Sequence, residues 1–171
     1  GYYQGYHNMK ETAYLEENNR LIDFLKKIPV FEPFEESELN NLLKISKMKV
    51  YNSRECILQE GSTDSLIYFL VSGKVRITKS GREIAVLKRR GDVFGEMGVI
   101  SLAPRTASAY AEGKTICLAT DYYLIENLAG EDRVLFGYVL FRIFSEILVN
   151  RLKATTDELM KYKGKGSLKF W

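Results

Sequence analysis

Between Lys47 and Thr120 the hydrophobic pattern consists of short β-prone runs, and glycine or polar residues interrupt it every few positions. This punctuation is the signature of an all-β barrel or jelly roll, because each run is long enough for one strand and each break supplies a turn. The expected strands are Lys47 to Tyr51, Cys56 to Gln59, Ser65 to Ser72, Lys74 to Lys79, Glu83 to Lys88, Asp92 to Phe94, Ala107 to Ala111 and Thr115 to Thr120. Gly61, Gly73, Gly81 and Gly91 fall between runs, where turn glycines belong.

The flanks follow a different period. From Thr12 the spacing turns helical, with Leu15, Ile22, Leu25 and Ile28 on one face, and Pro29 ends it. A second helix follows over Glu35 to Leu43, its acidic start suited to the helix dipole. After the strands, a short helix is expected around Asp121 to Leu128 and a long one from Asp132 to about Lys161. The long one carries more apolar surface than one wet helix shows, so part of its stripe needs a second partner. The expected architecture is mainly β with flanking helices: a β jelly-roll barrel (double-stranded β-helix) with N-terminal helices and a long C-terminal helix. Residues 1–11 read as a flexible arm, 12–46 as helices, 47–120 as barrel, 121–161 as C-terminal helices and 162–171 as a tail.

Composition removes several functions. A net charge of +3 is too small to argue for nucleic acid, and the basic residues cluster only at Lys88-Arg89-Arg90 and in the tail lysines. The two cysteines, Cys56 and Cys117, lie in apolar strand-like contexts without a CxxC arrangement and read as buried thiols. With the single His7 they supply too few ligands for a tetrahedral zinc site. No run approaches the roughly 20 apolar residues of a spanning helix. A basic start with an apolar signal core is also lacking. The expected location is cytosolic, either free or as the cytoplasmic part of a larger membrane protein.

The stretch Gly91 to Ala109, GDVFGEMGVISLAPRTASA, holds three glycines, two carboxylates and one arginine within nineteen residues. A packing element rarely needs that mixture, since a buried Glu or Arg costs roughly several kcal/mol unless partnered. Glycines let backbone approach a ligand closely, Glu96 offers acceptors, and Arg105 offers a fork of donors suited to phosphate. A sugar that carries a free hydroxyl and an anionic phosphodiester uses all three.

Phe94-Gly95-Glu96 followed at this interval by Pro104-Arg105-Thr106-Ala107-Ser108 resembles the phosphate-binding cassette of the cyclic nucleotide-binding domain family. The family serves as sensor domain in catabolite-activator-type regulators, cyclic-nucleotide-dependent kinases and cyclic-nucleotide-gated channels. The phrase Phe24-Leu25 to Pro29-Val30-Phe31 is similar to the family's opening, and Leu66 to Ile77 is similar to its central hairpin. The resemblance implies that Glu96 accepts the ribose 2′-hydroxyl and Arg105 pairs with the cyclic phosphate. Gly95, Met97, Gly98, Thr106 and Ala107 would line the same site, with backbone amides of a short helix around Gly98 to Leu102 completing it. Thr106 and Ser108 are expected to face one way on a strand, and Asp92 to be a wet turn carboxylate. Arg151-Leu152 to Thr155-Thr156 resembles the ligand-facing helix of the catabolite-activator group, which implies purine contacts from Arg151, Thr155 and Thr156. No helix-turn-helix sequence follows, so direct nucleic-acid binding is not expected.

Three classes compete. A sensor binds cyclic AMP or cyclic GMP, performs no chemistry, needs no cofactor or metal, and signals through its terminal helix; Thr155 and Thr156 favour cyclic AMP. A cupin-like enzyme needs barrel histidines, and His7 lies outside the barrel. A non-binding structural or dimerisation domain would be expected to have lost Glu96 or Arg105. The expected partners are the cyclic nucleotide, a second copy paired through the C-terminal helix, and an output domain or separate effector protein.

Overall fold

A computed structural model describes residues 10–11, 19–127 and 130–163. Strand β1 is Lys10–Glu11, followed by α1 (Asn19–Lys26), a 3-10 turn at Pro29–Phe31, and α2 (Glu36–Lys44). The strands β2 (Ser46–Tyr51), β3 (Cys56–Leu58), β4 (Leu66–Lys79), β5 (Arg82–Leu87) and β6 (Val93–Phe94) lead to α3 (Glu96–Ser101). Strand β7 (Ser108–Asp121), α4 (Tyr122–Glu126) and α5 (Glu131–Lys163) follow. The strands form an antiparallel sheet in the order β1-β2-β7-β4-β5, with β3 on β7 and β6 on β4. The fold is the jelly-roll barrel with flanking helices that the pattern calls for.

β4 explains why the barrel and helices hold together. Its start, Leu66 to Val71, is uninterruptedly apolar because both faces are covered. Ile67 and Phe69 join the core formed with α1, α2 and α5, where Ile22, Leu25, Phe31, Leu42 and Phe144 are buried. The alternate residues Tyr68 and Leu70 enter the barrel interior with Val75, Phe94 and Cys117. Period-two alternation thus splits one strand between two cores. On α5 the inward face is Leu140, Ile143 and Phe144, each at most 2% exposed. At the entry to α2, the Glu35 and Glu38 side chains close a capping box.

Four expectations need revision. The expected hairpin at Gly73 is a continuous strand: β4 crosses it with a register shift against β7, and the true hairpin turns at Ser80-Gly81 between β4 and β5. The runs at 107–111 and 115–120 likewise merge into β7, which passes through Gly113 at φ 76° where its register against β4 shifts. Lys10 and Glu11, read as part of a flexible arm, pair with Val50 and Lys49 of β2. Cys56 is half-buried where a buried thiol was expected, while Cys117 is buried; both are free. His7, the helical start at Thr12 and the tail beyond Lys163 lie outside the described residues.

Candidate functional site

The turn between β6 and α3 sets the site. Gly95 caps α3 in the left-handed region at φ 83°, and a Cβ there would lie 3.1 Å from Arg105 Nη1 and 3.3 Å from the Leu66 carbonyl. Gly98, one turn on, is as closely approached: its Cβ would meet Arg105 Cδ at 3.0 Å. The two glycines therefore form a channel in which the arginine side chain lies along α3. The short helix starts at Glu96, earlier than the expected Gly98, and ends at Leu102, which caps it with φ 51°.

Arg105 is 3% exposed. Its Nε donates to Asp64 Oδ2 at 3.3 Å, and Nη2 donates to Asp64 Oδ1 and, at 2.6 Å, to the Leu66 carbonyl. Nη1 donates to the Gly95 carbonyl. Among the described residues four of the five guanidinium donors are thus engaged, and one N–H of Nη1 is left. Asp64 was not among the sequence candidates; it lies 41 residues upstream, in the β3–β4 loop, and its side chain stays 36% exposed.

Glu96 is fully buried, and α5 supplies its counter-charge. Arg151 Nη1 donates to Glu96 Oε1, while Arg151 Nη2 donates to the Val93 carbonyl at 2.5 Å. Glu96 Oε2 is buried and, among the described residues, accepts no hydrogen bond. Burial pushes the Glu96 carboxyl above its ordinary range, against the opposing pull of Arg151 and, to a smaller extent, Arg105. A buried orphan oxygen is unusual, and a hydroxyl donor would satisfy it.

The remaining sequence candidates are distributed unevenly. Met97 is 49% exposed on α3, and Ala107 is half-buried. Thr106 is exposed while Ser108 is buried and accepts from the Glu60 amide at 2.9 Å. They do not face one way, because β7 starts only at Ser108 and Thr106 lies in the bend before it. Asp92 is a turn carboxylate, accepting from the amides of Lys88 and Arg89. Thr155 is exposed and Thr156 half-buried on α5; neither is in contact with Glu96 or Arg105 through a hydrogen bond. Of the α5 candidates, Arg151 alone is brought to the cassette. Among the described residues no group of three or more His, Cys, Asp or Glu could hold a metal ion, and no helix is long and apolar enough to cross a membrane.

The family model for the cyclic nucleotide-binding domain matches residues 48–132. A cGMP-dependent protein kinase from Toxoplasma gondii is 32% identical over 119 residues, which is 70% of this chain and 12% of the kinase. A cAMP-dependent protein kinase regulatory subunit from Debaryomyces hansenii is 30% identical over 105 residues, 60% of this chain and 23% of that protein. The chain therefore spans less than a quarter of the length of either relative. A cyclic nucleotide-binding domain from Methylobacillus flagellatus has the same fold, with a TM-score of 0.74 at 20% identity over 98% of this chain and 97% of that one. With the cassette, the barrel and the long final helix all in place, the chain belongs to the cyclic nucleotide-binding domain family.

Proposed function

We propose that this chain is a cyclic nucleotide sensor that performs no catalysis and prefers cyclic AMP to cyclic GMP. The observation that carries the reading is Glu96, a fully buried carboxylate with one oxygen lacking a donor, beside an arginine that keeps one free N–H. The ribose hydroxyl would donate to that oxygen, and the cyclic phosphate would meet Arg105, Gly95 and Gly98. Because Arg151 reaches Glu96 from α5, occupancy of the site is felt by that helix, which carries the signal to a cytoplasmic effector or output domain. A ligand shifts α5 only by its difference in affinity for the two helix positions. Adenine preference rests on Thr155 and Thr156; the kinase relatives include one of each nucleotide type.

Titration calorimetry on protein freed of copurified ligand tests the reading. Saturable binding of a cyclic nucleotide at micromolar or better is expected, with 5′-AMP much weaker. No heat and no thermal shift at millimolar cyclic AMP or cyclic GMP favours a non-binding domain of the same fold. That second reading has its own support, since Arg105 and Glu96 already possess internal partners in Asp64 and Arg151. Cyclic GMP at least tenfold tighter than cyclic AMP, about 1.4 kcal/mol, would reverse the preference.

The proposed assembly is a homodimer through α5. Tyr138, Phe141, Leu148, Leu152, Leu159 and Tyr162 are all exposed, between 39% and 82%, and recur at intervals of three, four or seven residues. That heptad-like stripe is separate from the Leu140, Ile143 and Phe144 face on the barrel, and it suits a paired helix.

A further inference from the structure

The two ends of the sheet are finished differently. At one end β2 is covered by β1, a segment of the chain's own. At the other end β5 pairs, among the described residues, with β4 alone, and Arg82 to Val86 are exposed in unbroken succession. Edge strands are normally protected by charge, proline or a covering element, because their free N–H and C=O groups template another strand. From Ile84 to Leu87 the sequence Ile-Ala-Val-Leu has no charge and no proline, and Ile84 and Val86 are 58% and 39% exposed. These are strand-forming side chains displayed at an open edge.

The run Lys88-Arg89-Arg90 continues directly from this edge, and the sensing site does not use it. Asp92 accepts from the amides of Lys88 and Arg89 at 3.1 and 2.9 Å, which fixes the turn, and Arg90 lies over the Phe24 ring at 5.1 Å. A Cβ on Gly91 would lie 2.3 Å from Ile28 Cγ2, so the turn is packed firmly on the N-terminal segment. None of the three cations is in an ion pair among the described residues. A positive cluster on a held turn at the end of an open strand, with no ion pair among the described residues, calls for negative charge on whatever lies along it.

We propose that the β5 edge docks an extended segment of a partner protein whose leading residues are acidic and whose following residues alternate apolar and polar. The segment adds a strand antiparallel to β5, so that its acidic start lies against Lys88, Arg89 and Arg90 and its apolar residues meet Ile84 and Val86. This surface is independent of the cyclic nucleotide reading.

The test uses the whole chain without nucleotide and a fluorescent peptide of sequence Asp-Glu-Glu-Val-Thr-Val-Thr-Val, followed by anisotropy and amide exchange. Saturable binding, slowed exchange in Arg82 to Leu87, and at least a tenfold loss in both Ile84→Lys and the Lys88→Glu/Arg89→Glu variant are expected. Both variants alter exposed side chains, and unchanged melting temperatures establish that they fold. Absence of binding at millimolar peptide overturns the proposal. So does undiminished binding to Ile84→Lys, or equal binding of the reversed peptide with its acids last, since either means charge attraction without strand pairing.

Discussion

Arg151 and Glu96 lie 55 residues apart in sequence and meet as an ion pair in which the carboxylate side chain is 1% exposed and the guanidinium 42%. The pair ties α5 to the start of α3, so the helix and the cassette share one electrostatic contact. Arg151→Met keeps the stem and removes the charge, leaving Glu96 buried without a strong donor. Breaking a buried pair is costly, but the exposure of Arg151 reduces the loss to about 1 to 3 kcal/mol. Urea unfolding should record that loss, and amide exchange in α5 beyond Leu148 should quicken. An unchanged midpoint would mean the pair does not tether the helix.

The same pair sets a pH dependence with a definite sign. Burial raises the Glu96 carboxyl above its unfolded value, so between the two values the folded state holds more protons than the unfolded state. In that window stability falls as pH rises, because folding then opposes ionisation. The contribution is fully present below the ordinary glutamate value and is lost as pH rises through the raised folded value. The stability difference between wild type and Glu96→Gln should therefore decline on going from acid toward neutral pH. Arg151→Met, which removes the largest charge lowering the carboxyl, should carry the decline to higher pH. A difference that grows with pH would contradict this account.

Arg105 and Asp64 should behave as a coupled unit. Asp64 contacts both Nε and Nη2, holding the fork so that its free N–H is on Nη1. Asp64→Asn strands a buried guanidinium and should cost about 1 to 3 kcal/mol, allowing for the partial exposure of Asp64. In the double variant with Arg105→Leu the two losses should fall short of additive by at least about 0.5 kcal/mol. Arg105→Leu alone should weaken cyclic nucleotide by about 2 to 5 kcal/mol. Additive losses would show that the two side chains act independently.

Short-range pattern made the strands, the helices and the cassette legible, and it failed where distant contacts decide. Gly73 reads as a turn and residues 112–114 as a break between strands, but pairing of β4 with β7 on both sides carries the two strands through them with a register shift. Glu96 and Arg105 stood out by a fixed interval and an uncommon mixture of charges. Their partners were not legible as partners, since Asp64 sits in a loop 41 residues away and Arg151 on a helix 55 residues away. Thr106 was misassigned to a strand because alternation was assumed across Ala107, whereas the backbone becomes extended only at Ser108.

Leu102 offers a test confined to backbone strain. It ends α3 at φ 51° and ψ 31° with its side chain 85% exposed. A left-handed conformation costs an L-residue roughly 1 to 2 kcal/mol, and glycine avoids most of that while losing little burial here. Leu102→Gly should raise stability by about 0.5 to 1.5 kcal/mol, offset in part by greater freedom in the unfolded chain. Thermal unfolding should show the gain. A lowered midpoint would mean that the exposed leucine makes contacts that outweigh its strain.

The α5 stripe gives the assembly prediction. Leu152 is 63% exposed and follows Leu148 by four residues on the outward face, one position beyond the arginine that holds Glu96. In a parallel pair of these helices Leu148 and Leu152 occupy the seam, and Glu158 lies five residues before Lys163 of the second copy, the spacing of an interhelical charge pair. Leu152→Glu places a charge in that seam without touching the barrel core, and should convert a dimer to a folded monomer. Sedimentation at high micromolar protein, with and without cyclic nucleotide, reads this directly. A wild-type monomer in both conditions removes the pairing, whereas a dimer that persists in Leu152→Glu moves the interface to another face.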